Sequence, residues 1–156
     1  MPDVTLSPLR TGVVGVFASA AALDALQAPD GARACRVAPD EIALLCAPDD
    51  AARVLDAVSG QIARADRHGF ALDLSDGWTG FSLTGEVREA FSYLSELHLP
   101  EPGSFAQGDV LRVPARVLRG EDHIDLLVPS PWGRYLHDEL LEALRALDVR
   151  ELGGEA

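Results

Sequence analysis

The sequence predicts an α+β fold, a mainly antiparallel sheet of five or more strands with about three helices on one face. Three observations carry that expectation. Short stretches alternate apolar and polar residues, the period of a half-buried strand. Other stretches place apolar residues at helical spacing. Gly, Pro and Asp separate the two kinds in the order hairpin, helix, hairpin, helix, hairpin, helix, an order that lays helices against an antiparallel sheet.

The two ends of the chain carry no clear element. Thr11 to Phe17 is an apolar, β-branched run and Ser19 to Gln27 is rich in Ala and Leu, so a strand or loop leads into a short helix. After Pro29-Asp30-Gly31, the runs Ala32 to Val37 and Glu41 to Cys46 read as a hairpin around Ala38-Pro39-Asp40. A turn centred near Pro39 pairs Cys35 with about Ala43, which leaves Cys35 and Cys46 out of register for a bridge. Two small, reduced and buried thiols are expected.

A helix over Asp50 to His68 follows, with Asp49 or Asp50 as its cap and Val54, Leu55, Val58, Ile62 and Ala65 on its apolar stripe. Arg67 and His68 suit its negative end and Gly69 is expected to stop it. Phe70, Leu72 and Leu74 alternate with Ala71, Asp73 and Ser75, and Asp76-Gly77 reads as a hairpin turn into a strand carrying Thr79, Phe81 and Leu83. Thr84-Gly85 then opens a helix over Glu86 to His98, which Pro100 and Pro102 end.

In the next hairpin Leu111, Val113, Ala115 and Val117 face one way and Arg112, Pro114 and Arg116 the other. Pro114 lacks a donor, which suggests an edge or a bulge. The return strand turns Ile124, Leu126 and Val128 inward, and Ser130-Pro131 caps a last helix over Pro131 to Leu147. Its buried stripe is expected to hold Trp132, Leu136, Leu140, Ala143, Leu144 and Leu147.

Composition bounds the function. The 156 residues, 47% hydrophobic and 24% charged, fit one globular domain. Against 13 basic residues stand 25 acidic ones, a formal charge of -12 that repels phosphate backbones and anionic lipid heads. Neither nucleic acid nor a membrane is an expected partner. No apolar run reaches the roughly 20 residues of a membrane span and no basic stretch precedes an apolar block at the N-terminus, so a soluble cytoplasmic protein is expected. Every basic residue is Arg, and the missing lysine removes Schiff-base chemistry and a Walker-type phosphate loop.

Catalytic and metal motifs are sparse. His68, His98, His123 and His137 are scattered singly, and in His137-Asp138-Glu139 the three neighbours point in different directions on a helix, so no metal site is expected. Neither cysteine lies beside a histidine, no nucleophile elbow occurs, and Gly12-Val13-Val14-Gly15 lacks the strand-then-helix frame of a dinucleotide site. Within Asp73-Leu74-Ser75-Asp76, Asp73 is the one candidate acid or base, although Asp and Ser side chains also fix turns by accepting backbone hydrogen bonds. No catalytic residue is assigned.

Several segments together resemble the gamma-subunit family of heterotetrameric sarcosine oxidase and, more remotely, the folate-binding module of the glycine cleavage T-protein and of a tRNA-modifying GTPase. Arg36-Val37-Ala38-Pro39-Asp40-Glu41 resembles the G-P-D-E-W-L turn of that family, with Ala38 for Gly and Ile42 for Trp. Asp73-Leu74-Ser75-Asp76 resembles its D-x-S-D strand, Phe81-Ser82-Leu83-Thr84-Gly85 the strand and helix start that follow, and Gly103 to Arg119 with Ile124 to Ser130 its late hairpin. Departures stand at Pro129 and Pro131 on either side of Ser130, and at Asp109-Val110-Leu111, where the family has a threonine.

The resemblance implies a sarcosine oxidase gamma-like domain over residues 1–150 and a flexible tail over 151–156. It implies a small subunit without a cofactor of its own, beside larger subunits that carry flavin, NAD and tetrahydrofolate in an N-methyl amine oxidase. The alternative it implies is a free-standing homodimer that binds a folate-like molecule, with Arg112 and Arg116 gripping a glutamate tail by bidentate pairing.

Overall fold

The computed structural model describes residues 3–154, with side chains as far as Leu147. In chain order the elements are β1 (Val4–Leu9), β2 (Gly12–Phe17), α1 (Ala20–Asp24), β3 (Arg33–Ala38), β4 (Glu41–Cys46), α2 (Ala51–Ala65), β5 (Phe70–Asp73), β6 (Trp78–Gly85), α3 (Val87–Leu94), β7 (Phe105–Val110), β8 (Val113–Arg119), β9 (His123–Pro129) and α4 (Gly133–Gly154). All strand pairings are antiparallel, and they form a five-stranded and a four-stranded sheet. The chain accordingly forms two compact units, one over Arg10–Gly77 and the other from the segments on either side of it. No helix among the described residues is long and apolar enough to cross a membrane.

In the unit over Arg10–Gly77 the strand order is β3-β4-β2-β5. The apolar stripe of α2, Val54, Val58 and Ile62, packs against Val14, Val16, Ile42 and Leu44 on one face of the sheet. Burying these three side chains is worth roughly 1.5–3 kcal/mol each relative to exposure, which holds an otherwise polar helix on the sheet. The β3–β4 hairpin turns at Pro39-Asp40 and pairs Cys35 with Ala43, as its spacing predicts. Cys46 lies opposite Gly12 of β2, and both cysteines are buried, with no disulfide between them.

Three local expectations are corrected in this unit. Helix α2 ends at Ala65 and not at His68, because Asp66 leaves the helix in an extended conformation and its carboxylate accepts the amides of Ser19 at 2.8 Å and His68 at 2.9 Å. Asp50 stands at the N-cap without a side-chain cap bond, following a 3₁₀ turn over Pro48–Asp50. Asp76-Gly77 is no hairpin turn: β5 pairs with β2, β6 pairs with β1 and β9, and Ser75–Gly77 is a 3₁₀ turn. The amide of Val13 donates to Ser75 Oγ at 2.9 Å, so this turn is tied to β2 before the chain reaches β6.

The second unit carries the sheet β1-β6-β9-β8-β7. One face packs Leu83, Val117, Ile124, Leu126 and Val128 against Val87, Phe91 and Leu94 of α3 and Leu136 and Leu140 of α4. The N-terminal segment, which shows no clear element in the sequence, forms edge strand β1, with Pro8 opposite Phe81. An edge tolerates a proline because one side of the strand has no ladder to serve. Pro114 on β8 pairs with Asp109 of β7 and lies beyond the reach of β9, whose pairing with β8 begins at Arg116.

Both long helices of this unit differ from their expected spans. The α3 helix stops at Leu94 instead of His98, because the amide of Leu111 takes the Leu94 carbonyl at 2.8 Å and Ser95 Oγ donates to the Asp109 carbonyl at 2.7 Å. A 3₁₀ turn over Ser130–Trp132 precedes α4, and Trp132 is 47% exposed, edge-on to Tyr135, not in the buried stripe. The α4 helix continues past Leu147 to Gly154. It thereby takes in most of the tail expected over 151–156, of which 155 and 156 lie outside the described residues.

Gly85 closes the β1–β6 edge at φ +106°, and a Cβ there would overlap the Asp3 carbonyl oxygen. That carbonyl accepts the amide of Glu86 at 3.1 Å. Gly85→Ala is expected to lose at least about 2 kcal/mol through forced backbone movement and a left-handed side chain. Urea unfolding checks this, with a lower midpoint at unchanged slope as the expected outcome.

Candidate functional site

The residues singled out in the sequence do not converge on one place. Asp73 closes β5 in the smaller sheet, where its Oδ1 accepts the hydroxyl of Ser75 at 2.6 Å and the amide of Ser75 at 3.0 Å. The Ser75 hydroxyl beside it holds the Asp73 carboxyl below the usual range, with the Ser75 amide as the second cause. A carboxylate so stabilised is a weak base, and its geometry is that of a turn anchor.

Arg116 sits on β8 with its guanidinium carbon 4.0 Å from the centre of the Trp78 ring, a cation–π contact within the larger sheet. Arg112 is not on that strand. It occupies the two-residue turn between Val110 and Val113, where Leu111 and Arg112 have φ +48° and +68°. The linear pair of guanidinium groups expected on one strand face is therefore not formed.

The other candidates are also separate. Among the described residues no group of three or more His, Cys, Asp or Glu side chains could hold a metal. His123 lies 3.3 Å from Asp122 and 3.7 Å from Asp125, and His137 stacks on Phe81 with centroids 5.9 Å apart. Burial pushes the Cys46 thiol up, with the charges of Asp50 and Asp73 acting in the same direction. A thiol of that kind carries little thiolate.

What the larger unit does offer is a cleft of about 700 Å³ where α3 ends beside the β7–β8 turn. Its lining runs from Ser92 through Leu97 on one side and includes Gly108, Asp109, Leu111 and Arg112 on the other. The volume is in the range of small-molecule sites. The wall is built from the contacts that end α3: Leu111 N on Leu94 O, Ser95 Oγ on Asp109 O, and Leu97 N on Ser95 Oγ at 3.1 Å. Leu97 folds over Gly108, where a Cβ would come within 2.6 Å of it.

Tyr93, 49% exposed, Glu96, Leu111 and Arg112 give the cleft its chemistry. Of these, the sequence pointed only to Arg112, and for a different geometry. The missed signal is the pair Leu111-Arg112 between two β-branched residues. A two-residue hairpin loop ordinarily announces itself by Asn-Gly or Asp-Gly, and neither is present.

No protein-family model and no curated protein matches the chain. Solved structures do. The chain is similar to a chain of heterotetrameric sarcosine oxidase from Corynebacterium sp. U-96 in complex with pyrrole 2-carboxylate, at TM-score 0.77 and 21% identity, over 92% of this chain and 84% of that one. It is similar to glycine cleavage system aminomethyltransferase T from Bartonella henselae at TM-score 0.66 and 12% identity, over 88% of this chain but 45% of that one. This chain thus spans less than half of that protein. The regulatory subunit of aspartate kinase from Thermus thermophilus, in its ligand-free form, follows at TM-score 0.51 and 15% identity, over 90% of this chain and 96% of that one. At these identities the likeness defines the fold, an α+β architecture shared with a sarcosine oxidase chain and an aminomethyltransferase.

Two outcomes are expected. Because the folded pKa of Asp73 is depressed, its contribution to stability is fully present above about pH 4 and is lost as pH falls through the folded value. The stability gap between the parent protein and Asp73→Asn should accordingly narrow in unfolding measurements taken at successively lower pH below about 4. Thiol titration should find Cys35 and Cys46 slow to react in the folded protein and both reactive once it is denatured without reductant.

Proposed function

We propose that this chain is a non-catalytic, gamma-like subunit of a heterotetrameric sarcosine or N-methyl amine oxidase, packed against a larger subunit. The observation that carries the reading is the likeness of fold to a chain of heterotetrameric sarcosine oxidase over 92% of this chain and 84% of that one. Those two shares make the chains nearly equal in length. The correspondence therefore covers most of both chains.

On this reading the flavin, NAD and tetrahydrofolate belong to the partner subunits, and the complex works in the cytoplasm. The formal charge of -12 directs the chain toward a partner with basic or neutral contact surfaces and away from nucleic acid and anionic membrane. The order along the chain of the short segments Arg36 to Glu41, Asp73 to Asp76 and Ile124 to Ser130, where the resemblance in sequence lies, supports the same family.

A tagged chain expressed in its source cells and captured under native conditions tests the reading. The expected result is a co-purifying flavoprotein, recognised by flavin released on denaturation, in an eluate that oxidises sarcosine. Recovery of the chain alone, with all sarcosine-oxidising activity left unbound, would overturn it.

A further inference from the structure

We propose that the cleft between the end of α3 and the β7–β8 turn binds a zwitterionic amino acid with an apolar side chain. The starting point is Arg112. It stands in a left-handed conformation at the second position of a two-residue hairpin loop, where glycine is favoured because any side chain adds strain. Its neighbour Leu111 shares that strain at φ +48°, but Leu111 packs against the core of its unit. Arg112 has no such return. It is exposed and makes no hydrogen bond or ion pair with any described residue, although the chain carries 25 acidic side chains.

Strained backbone of this kind concentrates at ligand clamps. A guanidinium held at a cleft offers bidentate pairing to a carboxylate. Charge then decides between a simple anion and a zwitterion. Glu96 lines the same cleft, and the C-terminal end of α3, where helix carbonyls carry partial negative charge, opens onto it. A ligand bearing only a carboxylate meets repulsion from both, whereas one with an ammonium group beside its carboxylate satisfies both signs.

The remaining lining is mixed: Ser92, Ser95 and a second carboxylate, Asp109, stand beside apolar groups. Tyr93, Leu97 and Leu111 provide a ring and two aliphatic side chains against which an apolar side chain of the ligand can pack. Among the described residues Glu96 and Arg112 have no hydrogen-bond or ion-pair partner to displace, so the charged groups of the ligand replace water and not an internal ion pair. The wall itself is fixed by the Leu111–Leu94 and Ser95–Asp109 hydrogen bonds, and the site is present before a ligand arrives.

Calorimetric titration of the full chain with L-leucine and L-phenylalanine tests the proposal, with N-acetyl-L-leucine and L-leucinamide as ligands lacking one charge each. Binding of the free amino acids, with at least tenfold weaker binding of both single-charge analogues, is the expected result. Arg112→Gly should abolish the heat while leaving the thermal midpoint unchanged or raised, since glycine relieves the left-handed strain. Glu96→Gln should weaken binding without lowering the midpoint. Absence of heat at millimolar amino acid, equal binding of N-acetyl-L-leucine, or a lower midpoint for Arg112→Gly that marks the arginine as a structural residue would each overturn the proposal. All of these readouts are made on the chain without partners, so they stand apart from the capture of a flavoprotein.

Discussion

The larger sheet depends on one strand paired along both edges. β6 takes β1 on one side, from Val4 opposite Gly85 to Leu9 opposite Gly80, and β9 on the other, from Trp78 opposite Pro129 to Thr84 opposite His123. A slip of one residue in β6 would turn Phe81 and Leu83 out of the core and reverse the faces of both neighbours, because side chains alternate along a strand. β9 passes its register to β8, and β8 to β7. The positions of the β7–β8 turn, and of the cleft beside it, follow from that sequence of pairings.

The turn at Leu111-Arg112 has two structural effects. It carries the Leu111 amide to the last carbonyl of α3 and so ends that helix at Leu94, and it sets Arg112 at the mouth of a cleft that Tyr93, Glu96 and Leu97 complete. Arg116, four residues along, has a different role: its guanidinium lies on Trp78 within the sheet. Two arginines that look equivalent in a strand-like sequence thus serve different surroundings. The difference arises because the strand begins at Val113 and not at Leu111.

Much of this fold is legible in local pattern. The stripe Val54, Val58 and Ile62 places α2, the Pro39 turn sets Cys35 against Ala43, and Ile124, Leu126 and Val128 show the inward face of β9. What is not legible is what distant contacts decide. The short run Val4 to Leu9 becomes a strand only because β6, far along the chain, supplies its ladder. Asp76-Gly77 carries a local hairpin signal that the Val13–Ser75 bond and the separate partners of β5 and β6 override. Likewise, the helical spacing through Leu97 is cut short at Leu94 by hydrogen bonds from another segment. The cleft was hidden for a local reason, since its turn lacks the glycine or asparagine that marks such loops.

If β6 organises the larger sheet, its amides should open only with that unit as a whole, whereas the single-sided edges should open locally. Native-state hydrogen exchange resolved by residue measures this directly. The account predicts that the slowest amides of the sheet lie in β6 and β9, with those of β1 and β7 exchanging faster. Amides of β1 or β7 that outlast those of β6 would contradict it.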